Sequence, residues 1–184
     1  MDVKIAPIAG VMVLEPARFC DARGFLSESY NKRLLAELGI DIDFVQDNVS
    51  FSVAPTTLRG LHFQRPPFAQ AKLVSVPKGA ALDVVVDLRK SSPTFGRYFS
   101  VRLSGQQGNQ LFVPVGFAHG FLTLEPETLF AYKVSNYYSS VHDRGIRWND
   151  ERLGIDWEVD ESVVTVSAKD ARLPAFDPSE DYFD

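Results

Sequence analysis

The sequence has few of the features that place a protein outside the cytoplasm. It contains one cysteine, Cys20, so no intrachain disulfide can form, which fits a reducing compartment. We expect Cys20 itself to be a buried or half-buried apolar residue. The N-terminal residues lack a basic segment followed by a long apolar core. The least charged stretch, Leu111 to Leu124, is interrupted by proline and glycine and is too short to span a bilayer. We therefore expect a cytoplasmic protein that does not enter a membrane.

Positive charge is also scarce. The chain has 19 Lys and Arg against 24 Asp and Glu, and its net charge of −5 argues against a nucleic-acid-binding surface, which needs a basic field. A nucleotide remains a candidate ligand, because a few local cations are enough to bind one diphosphate. The length of 184 residues, with 45% hydrophobic and 23% charged residues, predicts one globular domain spanning residues 1–184.

Strand patterns dominate the chain. The alternating run Lys72–Val76 and the nearly continuous apolar run Ala80–Leu88 flank the turn residues 77–79, so they predict a hairpin. Phe121–Leu124 and Leu129–Val134 predict a second strand pair around the turn at 125–127. Short strands separated by turns predict a sandwich or a barrel rather than a parallel α/β sheet.

One helix and a surface tail complete the predicted architecture. Asn31 can cap a helix whose apolar stripe is formed by Leu34, Leu35 and Leu38, and Gly39 can end it. The acidic, proline-containing tail after Leu173 is expected to lie along the surface.

The stretch LRGLHFQ, residues 58–64, places Arg59 and His62 three positions apart. Imidazole takes up a proton near neutral pH, while the planar guanidinium binds phosphate or carboxylate. Residues three apart do not share a face of a regular strand, but Gly60 permits a bulge or bend that brings both side chains to one cavity. The pair indicates an enzyme that acts on a phosphorylated substrate, although a structural histidine beside a surface arginine explains the same seven residues equally well.

The three histidines, at positions 62, 119 and 142, do not form a recognisable metal motif. A metal-binding cupin needs a His-x-His pair, whereas Phe63 and Gln64 follow His62. We therefore expect no metal, and the acid–base chemistry must rest on the side chains themselves.

Three further residues have both a structural and a functional interpretation. His119, in FAHGF, is by itself most simply a structural histidine. Tyr132, in AYKVSNYY, is either a core tyrosine or, in a pocket opposite a basic histidine, a proton donor. Lys72, in AQAKLVSV, either extends to solvent or faces a cavity, where its cation can stabilise an oxyanion.

Other polar clusters add candidates. SAKD supplies Lys169 and Asp170, and a carboxylate such as Asp170 can orient His62 and raise its basicity. The remaining candidates lie in DARGF and just after it, and in QDN: Arg23, Glu28, Gln46, Asp47 and Asn48. Taken alone, each of these residues most often stabilises a turn or lies on a solvent-exposed face.

Taken together and in order, these strings resemble one family. DARGF, QDN, LRGLHFQ, AQAKLVSV, DVVVDLRKSSPTFG, QLFVPVGFAHGF, AYKVSNYY, GIRWND, LGIDW and SAKD resemble the dTDP-4-dehydrorhamnose 3,5-epimerase family from about Arg18 to Leu173. The resemblance implies an all-β fold, a cupin-like jelly-roll sandwich with one or two short helices, in a homodimer that needs neither metal nor cofactor. The implied substrate is dTDP-4-dehydro-6-deoxy-D-glucose, epimerised at C3 and C5 for dTDP-L-rhamnose and cell-surface polysaccharide synthesis, including lipopolysaccharide O-antigen.

The resemblance also implies roles for individual residues. His62 matches the base, Asp170 its partner and Tyr132 the proton donor, while Lys72 and His119 match contacts near the reacting sugar. The other matched positions are nucleotide-sugar contacts: Arg23, Glu28, Gln46, Asp47, Asn48, Arg59, Tyr138, Asp143 and Lys169. Among them, the resemblance implies that Tyr138 stacks on thymine and that Arg23 and Glu28 reach across from the partner subunit. Where this chain has Asp143 the family often has glutamate, which puts one nucleotide contact in doubt.

Two alternatives remain open. An epimerase that inverts only C3 or only C5 can retain the same His, Asp and Tyr. A cupin that binds a nucleotide sugar without catalysis is expected to lose Tyr132, Lys72 or Asp170, and all three are present.

Overall fold

The computed structural model describes residues 1–183, and their regular secondary structure is mainly strand. Strands β1 to β14 are Asp2–Ile5, Met12–Glu15, Arg18–Asp21, Gly24–Ser27, Gln46–Ser52, Thr57–Gln64, Lys72–Lys78, Ala80–Asp87, Tyr98–Ser104, Gln110–Val113, Phe117–Thr123, Thr128–Val134, Asp143–Gly145 and Thr165–Val166. Helix α1 is Lys32–Glu37, and two 3₁₀ helices are Glu161–Val163 and Asp170–Arg172.

The strands form a cupin-like jelly-roll sandwich, which confirms the predicted fold class. One sheet, here called the front sheet, has the order β1-β2-β10-β7-β12-β5. The back sheet has the order β13-β6-β11-β8-β9, with the short β14 pairing in parallel with β6. Strands β3 and β4 form a separate hairpin, here called the β3–β4 hairpin.

Both predicted strand pairs are wrong. Strands β7 and β8 are consecutive, but β7 lies in the front sheet and β8 in the back sheet. Likewise β11 belongs to the back sheet and β12 to the front sheet. Gly79, with φ of +81°, turns the chain from one sheet to the other rather than closing a hairpin. A turn signal reports that the chain bends, but it does not report which strand each flanking segment pairs with.

Three apolar clusters explain why the strand patterns differ in hydrophobicity. One lies between the sheets and includes Val74, Val85 and Phe130. Another covers the outer face of the back sheet with Trp148 and Trp157 of the C-terminal segment. Strand β8 is therefore buried on both faces, and this accounts for its nearly continuous apolar run. The third cluster packs α1 on the front sheet.

The predicted helix is confirmed. The Asn31 side chain accepts hydrogen bonds from the N–H groups of Arg33 and Leu34. Gly39, with φ of +83°, follows the last residues of the helix. Of the predicted stripe, Leu35 is buried. Within residues 1–183, no helix has the length and apolar character needed to cross a bilayer.

Two expectations about burial are wrong. Cys20 is exposed because it lies on the β3–β4 hairpin, which stands away from the core of this chain. The tail after Leu173 does not simply follow the surface, since Phe176 and Tyr182 are buried in the cluster behind the back sheet. Their rings stack with a centroid separation of 5.9 Å, and Tyr182 also packs edge-on against Phe63. Aromatic residues inside an acidic segment were the overlooked signal.

Candidate active site

A cavity of about 290 Å³ lies between the two sheets. The front sheet and the back sheet both contribute polar side chains to it, as do the residues after β12 and the segment before the last 3₁₀ helix. The lining residues are Gln46, Asn48, Ser50, Arg59, His62, Phe63, Gln64, Gln70, Lys72, His119, Phe121, Tyr132, Tyr138, Asp143 and Lys169. Ten of the predicted site residues thus share one cavity, although they are spread over more than 120 positions of the chain.

A bend at Gly60 brings Arg59 and His62 into the same cavity, as the sequence predicted. Gly60 has φ of +128°, and the pairing of β6 with β11 shifts register opposite it. A Cβ atom at this position would lie 2.5 Å from the Cα of Gly120, so no other residue permits the two strands to approach so closely. The bend interrupts the strict alternation of faces, and both side chains line the cavity.

His62 and Asp170 form a hydrogen-bonded pair across 108 positions of sequence. The His62 Nε2–H donates to Asp170 Oδ1 over 2.8 Å, and the Gly60 N–H donates to Oδ2 over 3.2 Å. Burial raises the pKa of the Asp170 carboxyl, but hydrogen bonds from His62, Gly60 and Ser167 outweigh burial and hold this pKa below its ordinary value. The ionised carboxylate keeps the ring proton on Nε2, so Nδ1 retains the lone pair that a base requires.

Tyr132 faces the cavity from the opposite sheet. His62 is on β6 of the back sheet, whereas Tyr132 is on β12 of the front sheet, so a ligand between the sheets has the two groups on opposite sides. Burial raises the pKa of the Tyr132 phenol, with the Arg59 charge opposing that shift. The phenol therefore keeps its proton at neutral pH and can act as an acid.

Lys72 does not extend to solvent. It is 8% exposed and its Nζ lies 3.5 Å from the carbonyl oxygen of His62. Burial lowers the pKa of the Lys72 ammonium to about 8, with Asp83 and Asp143 opposing that shift. The side chain is thus a buried cation at neutral pH, placed beside the candidate base and facing the cavity.

A polar network forms the rim of the cavity. The Tyr138 N–H donates to Gln46 Oε1 over 3.2 Å, and Gln46 Nε2 donates to Asn48 over 2.9 Å. The Tyr138 hydroxyl lies 3.3 Å from Asp143, which also pairs with the Lys169 ammonium. These contacts connect five predicted site residues that come from three separate segments.

Three predicted site residues lie elsewhere in this chain. Arg23 is on the β3–β4 hairpin, where it pairs with Asp21, and Glu28 follows that hairpin and is exposed. Asp47 points to the other face of β5, where both of its carboxylate oxygens lie 2.9 Å from Lys133 Nζ. Strand alternation is the reason, since Gln46 and Asn48 face the cavity and the residue between them cannot.

Besides lining residues such as Ser50 and Gln70, two residues that position site side chains escaped the sequence analysis. Asp83 is fully buried behind the cavity and hydrogen-bonded to His119. The sequence did contain a signal for it, since a carboxylate inside the apolar run 80–88 is unusual. Gln64 accepts the Ser139 N–H and donates to the Tyr137 carbonyl, so it holds the segment that carries Tyr138. No sequence pattern distinguishes it from an ordinary strand glutamine.

The histidines do not converge. His62 and His119 are directly opposite on β6 and β11, but the His142 ring bonds to Ser139 instead. Among residues 1–183, no group of three or more His, Cys, Asp or Glu side chains could hold a metal ion.

The fold and the cavity define a class: a cupin-like sandwich with a histidine–aspartate pair and a tyrosine on opposing sheets around a buried lysine. The family model for dTDP-4-dehydrorhamnose 3,5-epimerase matches residues 6–178. The chain belongs to this family.

Known relatives agree with that assignment. The chain is similar to dTDP-4-dehydrorhamnose 3,5-epimerase of Salmonella typhimurium, with 50% identity over 171 residues covering 92% of each protein. It is also similar to the crystal structure of the Bacillus anthracis enzyme with TDP and PPi bound, with 50% identity, a TM-score of 0.92 and coverage of 95% and 99%. A third similar structure is the Legionella pneumophila epimerase in complex with dTDP-4-keto-L-rhamnose, with 42% identity, a TM-score of 0.90 and coverage of 95% and 92%.

Proposed function

We propose that this protein is a dTDP-4-dehydrorhamnose 3,5-epimerase, which converts dTDP-4-dehydro-6-deoxy-D-glucose to dTDP-4-dehydro-L-rhamnose by inverting C3 and C5. One observation carries the proposal: the oriented base His62 and the protonated phenol Tyr132 face each other across one cavity from opposing sheets. The relatives named above support the substrate, and with it a role in dTDP-L-rhamnose supply for cell-surface polysaccharide.

The proposed chemistry follows from the ketone at C4. Both C3 and C5 are adjacent to this carbonyl, so removal of the proton from either carbon gives an enolate. His62 removes the proton, the Lys72 cation stabilises the negative charge on the C4 oxygen, and Tyr132 returns a proton from the other side. Inversion requires that the base and the acid lie on opposite faces of the sugar, which is the reason for their placement on opposing sheets. No redox cofactor or metal takes part in these steps.

The remaining cavity residues are assigned to binding. Arg59 and Lys169 supply cations for the diphosphate, His119 contacts the sugar, and Tyr138, which is 58% exposed at the rim, stacks on thymine. The carboxylate of Asp143 holds Lys169 and contacts the Tyr138 hydroxyl, so it positions both binding groups.

The proposed reaction is tested by proton NMR in deuterated water. Without added metal, the protein is expected to exchange the hydrogens at C3 and C5 of dTDP-4-dehydro-6-deoxyglucose for deuterium, because each enolate is protonated by groups that equilibrate with solvent. Exchange at one carbon only would identify a mono-epimerase. Binding of the nucleotide sugar without exchange at either carbon would identify a non-catalytic cupin and contradict the proposal.

The protein is further proposed to be a single-domain homodimer in the cytoplasm. Three large apolar side chains are exposed on the β3–β4 hairpin, and three more lie along the edge strand β5 and just after it: Phe19, Phe25, Leu26, Val49, Phe51 and Val53. Apolar patches and an uncovered edge strand of this kind are typical of subunit interfaces. The same hairpin carries Arg23, which a dimer would place near the partner's cavity.

A mass measurement tests the dimer. Light scattering coupled to gel filtration is expected to give about twice the chain mass of 20.5 kDa. Leu26→Asp, at a position 74% exposed, is expected to shift the protein toward the monomer and to weaken dTDP binding, because a partner's Arg23 is lost from each site. Ile5→Asp, at a position 79% exposed on β1, the edge of the front sheet opposite β5, serves as the control and should remain dimeric. A wild-type protein with the mass of one chain would contradict the dimer.

A further inference from the structure

We propose that Asp83 is a positioning residue for the reaction: its buried carboxylate sets the tautomer of His119 and supplies the counter-charge of Lys72. Asp83 does not line the cavity, so it acts through these two neighbours. The inference rests on the proposed epimerase function and adds a residue to its machinery.

Burial of the Asp83 carboxylate destabilises the folded protein unless neighbouring groups compensate the charge. It lies at the centre of β8, among Leu82, Val84 and Val85, and is 0% exposed. Transfer of a carboxylate from water to such surroundings is costly unless partners compensate it. Its side chain points between the sheets, where both carboxylate oxygens accept from His119 Nε2, at 3.0 and 2.9 Å.

This contact determines which nitrogen of His119 faces the ligand. Burial raises the pKa of the Asp83 carboxyl, while His119 and Lys72 oppose that shift. The ionised carboxylate can only accept a hydrogen bond, and in this form it places the ring proton on Nε2. Burial lowers the pKa of His119, with the Asp83 charge opposing that shift, and the ring is therefore neutral at pH 7. Its Nδ1 makes no hydrogen bond to any residue that the structure describes. The His119 ring lines the cavity, so Nδ1 is available as an acceptor for a sugar hydroxyl.

The same carboxylate supports the charge of Lys72. The ammonium is buried, and its only direct hydrogen-bond acceptor among residues 1–183 is the His62 carbonyl oxygen at 3.5 Å. Asp83 is the largest of the influences that favour the charged form of Lys72 against burial. Removal of the Asp83 charge would therefore favour neutral Lys72, and the developing enolate would lose its cation.

The first test uses the wild-type protein and needs no variant. The chain contains only three histidines, so their ring nitrogens can be assigned by long-range ¹H–¹⁵N NMR. We expect His119 to be neutral and protonated on Nε2 at pH 7. A His119 ring protonated on Nδ1 would overturn the proposal, and this result does not depend on turnover. An inactive wild-type protein with the expected tautomer would instead count against the epimerase function.

The second test is Asp83→Asn, which keeps the shape and removes the charge. An amide can accept from Nε2–H or donate to bare Nε2, so the Nδ1–H tautomer of His119 is expected to become populated. We expect kcat to fall on the order of 100-fold, the loss typical of removing one electrostatic stabiliser of an oxyanion. The affinity for dTDP, measured by calorimetry, should stay unchanged because the nucleotide contacts are at the rim.

Asp87→Asn is the matched control. Asp87 is on the same strand and also 0% exposed, but its carboxylate bonds to Arg89, Ser92 and Thr94, away from the cavity. We expect this variant to lower the unfolding temperature while it retains kcat and the His119 tautomer. Equal losses of kcat in both variants, or a normal kcat in Asp83→Asn, would overturn the proposal.

Discussion

Replacement of His62 by alanine is expected to eliminate hydrogen exchange at both C3 and C5. We expect one imidazole to remove the proton from each carbon. His62 and His119 are both oriented by a carboxylate, but the His62 side chain is 30% exposed, whereas His119 is buried and burial lowers the pKa of its ring. The expected loss of turnover is on the order of 10³-fold or more, within the range of general base catalysis. Proton NMR in deuterated water measures exchange at the two carbons separately.

Two companion variants make this result specific. Asp170→Asn retains the imidazole but not the negative charge that fixes its tautomer, so a smaller loss, roughly 10–100-fold, is expected. His142→Ala removes a histidine outside the cavity and should turn over at close to the wild-type rate. If His62→Ala retained exchange at either carbon, a different group would have to be the base for that carbon.

Tyr132→Phe is expected to impair turnover on the order of 10²-fold while leaving dTDP binding nearly intact. The substitution deletes only the hydroxyl, which makes no hydrogen bond to a residue that the structure describes, so no buried partner is left unsatisfied. Since His62 is untouched, proton removal can continue, and exchange can then exceed net inversion. Turnover assays and deuterium exchange, run on the same samples, measure the two quantities. Normal net inversion by this variant would mean that water or another group protonates the enolate.

Tyr138→Ala is expected to weaken binding, in contrast to Tyr132→Phe, which is expected to impair turnover. Loss of a ring stacked on thymine is expected to weaken dTDP binding by about 1–3 kcal/mol, the scale of base–aromatic stacking. Tyr137→Ala is the matched control, because Tyr137 is equally exposed, at 62%, but does not line the cavity. Calorimetry with dTDP compares the two. Similar losses in both variants would indicate that the segment, and not the Tyr138 ring, determines affinity.

The sequence identified most of the site because its chemistry is local and distinctive. LRGLHFQ predicted both the reactive histidine and the glycine bend that turns Arg59 toward it. The structure contains that bend at Gly60, with positive φ and a register shift. The alternation of β5 is equally readable in QDN. With Gln46 and Asn48 facing the cavity, Asp47 lies on the other face, where it pairs with Lys133.

Asp83 and the tail show the limits of local patterns. A single aspartate in an apolar run has no meaning until β11 places His119 against it. In the same way, the acidic composition of the tail predicted that the tail is solvent-exposed, whereas Phe176 and Tyr182 pack against a hydrophobic surface on the back sheet. Burial depends on which surface a segment meets, and composition does not contain that information.

The sequence by itself determined the class of fold and the family, and it singled out His62 as the candidate base, because strand alternation, turn residues and ordered motifs act over short distances along the chain. Only the tertiary structure decided which strands pair. It placed consecutive strands such as β7 and β8 in opposite sheets, since a chain that crosses between two sheets buries the inner face of each sheet against the other. It also joined His62 to Asp170 over 108 positions and set Tyr132 across the cavity from both. Contacts between distant segments arise from packing of the whole chain, and so no stretch of sequence specifies them alone.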